Sequence, residues 1–354
     1  MSFLLIGAII PGIILLFYIF KKDKAEKEPV QLLVKLLGLG ALTCFPASAV
    51  EGWLYEILCN IFSTTEETAV LLSGGEFFAY HFFGAFFAVA LVEEAFKWLA
   101  MYIFTRNNKN FNSLFDGIIY AVFVSLGFAI LENVFYVFSY GFATAVVRAF
   151  TAVPGHMFFG VLMGYYYTMW NASKTASGIE KDFISKGIIP HGTDSFGSKK
   201  LIAMSMIVPV SAHGLYDFLC FIGEKESISG ISTALFYAFL IVLYVCCFRT
   251  INTMSKKDTG KFNYSVLWFL EKHPGLNNEM ASYLNERAAR QNQNPYSFSY
   301  SPQSGFSPSE NHNPYSSSYE PQQTPSPSQT PYPSSYPSGQ SSTSQNEYDP
   351  YKEQ

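Results

Sequence analysis

The stretch "HFFGAFFAVALVEEAFKWLAMYIF", residues 81–104, decides the fold. Most of it is apolar and it is long enough to cross a hydrocarbon core, which takes roughly 20 helical residues. Inside it stand Glu93, Glu94 and Lys97. Each ionised group costs about 3 kcal/mol at the centre of a membrane helix on insertion scales, so a segment that keeps three of them has a use for them. On a helix, positions three and four apart share a face, so Lys97 reaches both glutamates.

Outward from this segment, the chain of 354 residues reads as two different polymers. Up to about residue 253 it is a succession of apolar blocks. The blocks predict seven spans, at about 2–20, 31–59, 77–104, 114–138, 143–170, 201–222 and 231–252. Backbone groups in lipid must be paired within the segment or in a closed barrel, and the blocks lack the alternation of barrel strands. The expected fold class is therefore all-α: a polytopic membrane bundle of about seven helices. The first block has no small-residue cleavage site before "KKDKAEKEP", so it is read as a retained helix.

Basic residues follow spans one, three and seven and fill the connection between spans five and six. The opposite connections hold little beyond Lys225, with Arg148 near the end of span five. The positive-inside tendency then puts the amino terminus outside and the carboxy-terminal tail in the cytoplasm. The segment 254–290 reads as a short juxtamembrane amphipathic stretch of one or two helices lying on the inner leaflet. Residues 291–354 repeat "NPYSFSY", "NPYSSSY", "TPYPSSY" and "DPYKEQ" in a Ser/Pro/Tyr/Gln-rich background. That composition buries too little apolar surface to offset ordering, so a disordered tether is expected, with a cytoplasmic partner of the tail as the alternative. The soluble stretch 171–200, with Ser195 in "HGTDSFGS", is read as a loop.

The five cysteines show no CxxC or zinc-finger spacing. A net charge of -4 without basic, aromatic-interleaved patches excludes nucleic acid as the partner and leaves the lipid bilayer. Ionisable residues inside the spans form four groups: "EEAFK" (93–97), "FAILEN" (128–133, with Glu132 and Asn133), "PGH" (154–156) and "HGLYD" (213–217). At about 1.5 Å per residue the four groups fall in one layer, between the midplane and the outer leaflet. One lysine cannot neutralise so many acids. Glu93 or Glu94 is a candidate base for water, His156 or His213 a donor to an oxyanion, and Asp217 the residue that fixes a tautomer. Alternatively, His156, His213, Glu132 and Asp217 are candidates for a divalent metal such as zinc, with one position open. The spacing does not choose between these, and there is no HExxH. Proton relays also use buried carboxylates and imidazoles, so a proton-coupled transporter and a non-catalytic scaffold are the alternatives; the spans show no evident inverted repeat.

The motifs EExxK, FxxxE and HxxxD, here "EEAFK", "FAILE" and "HGLYD" in that order, resemble those of the PrsW family of bacterial intramembrane proteases. "PGIILLFYIFKKDKAEKEPV", "DGIIYAVFVSLGFAILENVFY" and "PGHMFFGVLMGYYY" extend the similarity over about residues 1–250. The resemblance implies a protease of the bacterial cell membrane. Its partner would be a single-span substrate of the anti-sigma factor type, cut first on the extracytoplasmic side in regulated intramembrane proteolysis. The family is similar, more distantly, to the CAAX-processing endopeptidases. On that resemblance Glu93 is the water-activating glutamate, and Glu132 replaces a histidine that helps activate water. His213 with Asp217 replaces an oxyanion-stabilising His and Asn. Independently of the resemblance, Lys97 and Asn133 are read as structural and ion-pair residues. The family is classed with metallopeptidases, whereas the wider group is argued to be metal-independent.

Overall fold

A computed structural model describes residues 2–24, 26–190, 196–258 and 260–292. Ser195 and the tail from residue 293 lie outside the described residues. Seven stretches are long and apolar enough to cross a membrane: Leu5–Lys22, Val30–Phe62, Gly74–Thr105, Asp116–Tyr140, Phe142–Ser185, Ser198–Ile222 and Glu226–Lys256. They coincide with the seven blocks of the sequence, and the described residues contain no strand beyond one isolated bridge between Ser113 and Gly260.

The helices are α1 (Ser2–Lys22), α2 (Val30–Phe62), α3 (Gly74–Phe83), α4 (Leu91–Thr105), α5 (Asp116–Tyr140), α6 (Phe142–Phe150), α7 (Ala152–Ser185), α8 (Ser198–Ile222), α9 (Glu226–Lys256), α10 (Lys261–Lys272) and α11 (Asn277–Asn292). A π-helical stretch, Gly84–Ala90, joins α3 to α4 without a break in the chain direction. Wide turns of this kind recur at functional sites, and this one ends three residues before Glu93.

Helix α5 is the buried axis, with Ile118, Ile119, Val122, Val124 and Leu126 fully enclosed. Lipid tails offer no hydrophobic drive for helices to associate, so close backbone approach must supply the packing. Glycines permit it: a Cβ on Gly40 of α2 would overlap the Val124 carbonyl, and one on Gly127 of α5 the Leu37 carbonyl. Gly117 of α5 faces Gly164 of α7 in the same way. By contrast Phe17, Leu42, Trp53, Phe104, Ile241 and Val242 are exposed, as lipid-facing side chains should be.

Two elements depart from the sequence reading. The segment expected as a loop from 171 begins as helix, because α7 runs on to Ser185 with Ala176, Ile179 and Phe183 buried. Helix α10 does not reserve its apolar face for lipid. Val266 and Phe269 pack with Ile179 and Phe183, Ser265 donates to the Ala172 carbonyl at 2.9 Å, and His273 meets Glu180 at 3.1 Å. The α7 extension supplies the apolar partner that the inner leaflet was expected to provide.

At the end of the bundle that carries residues 26–29, 106–115 and 260, four carboxylates gather: Asp23 and Glu28 between α1 and α2, Asp116 at the start of α5 and Asp258 after α9. Asp116 accepts from the amides of Asn112 and Ser113, at 2.8 and 2.6 Å. Glu28 accepts from the Tyr120 hydroxyl at 2.7 Å, and Asp23 from the Glu28 amide at 3.1 Å. The Ser113 hydroxyl lies 2.8 Å from both Asp116 and Asp258. A hydroxyl has one hydrogen to give, so one of those two contacts needs a proton from the acid.

Candidate functional site

The four polar groups converge. Helix spacing puts Lys97 one turn past Glu93 and Glu94, and its ammonium donates to Glu93 Oε2 at 2.8 Å and Glu94 Oε1 at 2.9 Å. Its third proton has a partner on another helix, His156 Nδ1 of α7, at 3.1 Å. The ammonium also sits 4.0 Å from the centre of the Phe128 ring. Lys97 and Glu94 are 0% exposed. A buried lysine survives only when each donor is met, and here all three are.

That contact determines the neighbouring imidazole. An ammonium has no lone pair, so His156 Nδ1 must accept from it. The other nitrogen then carries the hydrogen and donates to Glu132 Oε2, 2.8 Å away on α5. His213 of α8 has a different environment. Its Nδ1 lies 3.0 Å from Glu94 Oε1, whereas Nε2 lies 3.2 Å from Asp217 Oδ2 and 4.0 Å from Glu93 Oε2. The Asp217 oxygen is close enough for an ion pair but is not aligned as a hydrogen-bond acceptor. Phe159 stacks on His213 with ring centres 4.6 Å apart, and the two imidazoles meet edge to face at 5.2 Å.

Every intramembrane residue singled out in the sequence, from Glu93, Glu94 and Lys97 to Glu132, His156, His213 and Asp217, belongs to this one network. Asn133 stands one residue aside, donating to the Ala8 carbonyl of α1 at 2.8 Å. Arg148 was read as a charge near a span end, but its guanidinium is the second partner of Glu132, at 2.7 Å. Its sequence neighbours conceal this, because α6 breaks from α7 at Thr151 and turns Arg148 inward. Glu51 of α2 was missed altogether. Its Oε1 is buried without a hydrogen-bond partner, within electrostatic reach of Glu93 and Glu132. An ionisable residue in the apolar stretch "ASAVEGWLY" was signal enough to find it.

A family profile described as PrsW family intramembrane metalloprotease matches residues 28–247, well over half of the chain. The chain belongs to this family. Three relatives, each called Protease PrsW, bear out the assignment. One from Bacillus subtilis is 32% identical over 60% of this chain and 80% of its own. One from Geobacillus kaustophilus is 30% identical over 63% and 81%, and one from Halalkalibacterium halodurans is 29% identical over 72% and 98%. No solved structure matches. The protein is thus an intramembrane peptidase and a multi-pass membrane protein.

The family's description raises the question of a metal. One donor atom from each of Glu93, Glu94, His156 and His213 lies within 4.8 Å of the others, and two carboxylates with two imidazoles are suitable chemistry for zinc. Three of those four side chains, however, direct an acceptor atom at Lys97 Nζ. The ammonium stands where a cation would be held, and the fourth, His213, turns Nδ1 to Glu94. As arranged, the PrsW-type site fits its own lysine and does not fit a metal beside it.

Proposed function

We propose that the chain is the site-1 peptidase of a regulated intramembrane proteolysis system, hydrolysing a peptide bond of a single-span membrane protein of the anti-sigma factor type. The cut falls toward the outer side of the bacterial plasma membrane, with the amino terminus outside and the tail in the cytoplasm. The observation that carries the chemistry is the unequal commitment of the two glutamates. Glu94 is enclosed and receives both Lys97 and His213, whereas Glu93 receives Lys97 alone and keeps a 6% exposed side chain. Glu93 is therefore the one free to hold water.

The reaction follows from the same contacts. Glu93 takes a proton from water as the oxygen attacks the substrate carbonyl carbon, worth about a factor of 10²–10⁴ for a positioned base. The carbonyl oxygen becomes an oxyanion beside His213 Nε2; Nδ1 gives its hydrogen to Glu94 Oε1, so the ring donates from Nε2 as the imidazolium, whose charge Asp217 balances from 3.2 Å without being a well-aligned acceptor. The distance of 4.0 Å between Nε2 and Glu93 Oε2 leaves base and donor flanking one reacting carbonyl. When the C–N bond breaks, the proton held by Glu93 passes to the leaving amine. Lys97 stays an ammonium throughout, balancing the glutamate pair.

Fragment mass spectrometry on cells carrying wild-type or Glu93→Gln protein tests the proposal. The expected result is one membrane-protein fragment pair, cut near the outer end of its span, that disappears in the variant. Equal fragments in both would overturn it.

A further inference from the structure

Helix α6 is short, Phe142–Phe150, set off by Gly141 (φ 85°) before it and the break at Thr151 after it. A nine-residue helix has little packing of its own to hold an arginine in the bilayer, yet the Arg148 side chain is only 13% exposed. It is held by three side chains within about one turn of α5, Glu132, Asn133 and Tyr136. Nη2 lies 2.7 Å from Glu132 Oε2 as an ion pair without hydrogen-bond alignment, Nε donates to Asn133 Oδ1 at 3.0 Å, and the guanidinium lies 3.9 Å over the Tyr136 ring. Asn133 is itself fixed by its bond to the Ala8 carbonyl of α1. The planar fork of arginine reaches two adjacent residues at once, which a lysine ammonium cannot do.

Glu132 Oε2 is the same oxygen that receives His156 Nε2. We propose that Arg148 is a positioning residue of the site, holding Glu132 where it fixes the tautomer and orientation in which His156 presents Nδ1 to Lys97. The chain of contacts runs Arg148, Glu132, His156, Lys97, Glu93, crossing α6, α5, α7 and α4. With Arg148 removed, Glu132 keeps His156 as its one partner and is free to swing, so its hold on the imidazole, which acts beside the Lys97 ammonium in setting the tautomer, is loosened. Partners at this remove from a reacting group typically change activity by about 10- to 100-fold when lost.

The kinetic arm rests on the peptidase reading, and the spectroscopic arm does not. Full-length protein in bicelles is prepared as wild type, Arg148→Ala and Arg148→Lys, with a His156→Gln sample to assign the imidazole ¹⁵N signals. Wild type should show His156 as the single Nε2–H tautomer. Arg148→Ala should give averaged His156 signals, and cleavage of the membrane protein whose fragment pair is lost in Glu93→Gln cells should fall about 10- to 100-fold in kcat with KM unchanged. Arg148→Lys folds with the charge retained and should recover part of both effects, since the Asn133 bond is not remade. Unchanged His156 signals in Arg148→Ala and in Arg148→Lys overturn the proposal whether or not a substrate is cleaved. Wild-type kcat in Arg148→Ala overturns it as well. Wild-type protein that cuts nothing while the His156 signals respond removes the peptidase reading and leaves Arg148 in its positioning role.

Discussion

Lys97 Nζ and His156 Nδ1 stand 3.1 Å apart on two different spans, and that contact ties the acid pair of α4 to the acid of α5. Within one helix, Lys97 could satisfy Glu93 and Glu94 by spacing alone. The third proton of the ammonium makes the site a tertiary object, because its acceptor exists only when α7 packs beside α4. The carboxylates on either side of His156 are thereby held at a distance that neither helix sets by itself.

The first prediction concerns Lys97→Met. Removing one partner of a buried ion pair costs about 3–5 kcal/mol, because the remaining charges are left without compensation. Here two glutamates and an imidazole lose a donor together. The variant should unfold at markedly lower temperature in detergent. Adding Glu94→Gln should restore part of the loss by removing one uncompensated charge. A double variant no more stable than Lys97→Met would count against the shared-ammonium arrangement.

Metal content gives the second prediction. Chelator-treated wild-type protein should remain active and carry well under one zinc per chain by elemental analysis, since the Lys97 ammonium sits among one oxygen of each glutamate and His156 Nδ1 and its charge repels a metal ion beside it. Lys97→Ala frees Glu93, Glu94 and His156 beside His213, so it should bind about one zinc and gain thermal stability from it. Stoichiometric zinc in the wild type, with cleavage lost on its removal and regained on its return, would reverse this reading.

The bundle and the polar layer were legible for one reason: lipid makes both long apolar runs and the charges within them conspicuous. Glu93, Glu132, His156, His213 and Asp217 stood out on that basis, and the structure brings them together. What did not show was anything set by helix direction outside the regular spans. Arg148 depends on a break at Thr151, and the helical course of α7 beyond residue 170 depends on α10 packing against it. Neither has a local periodic signature. The unequal surroundings of Glu93 and Glu94 left no mark in the spacing, where only the family resemblance preferred Glu93, because they turn on His213, 119 residues from Glu94 in sequence.

Helix contact supplies a third prediction. Gly127 abuts the Leu37 carbonyl, and backbone cannot swing aside as a side chain can. Gly127→Ala should therefore cost about 1–3 kcal/mol, the usual range for overpacking, despite the better helix propensity of alanine. Gly52, which has open space around it, is the control. Equal unfolding temperatures for Gly127→Ala and Gly52→Ala would show that the α2–α5 approach is looser than described.

The last prediction concerns pH and the acidic cluster of Asp23, Glu28, Asp116 and Asp258. Burial, with the charge of Asp116 alongside, pushes the Glu28 carboxyl from 4.5 up to about 8. Burial likewise pushes Asp258 up to about 6. A raised carboxyl pKa means that the folded state holds a proton the unfolded chain has released. The contribution is fully present below 4.5 and is lost as the pH climbs through about 8. Between pH 6 and 9 Asp258 adds little, so within this cluster the fall in unfolding temperature belongs chiefly to Glu28. Glu28→Gln keeps an acceptor for the Tyr120 hydroxyl and removes the titration, so its unfolding temperature should be flatter over the same window. The measurement is thermal unfolding of both proteins in detergent at a series of pH values, and parallel curves for the two would sink the assignment.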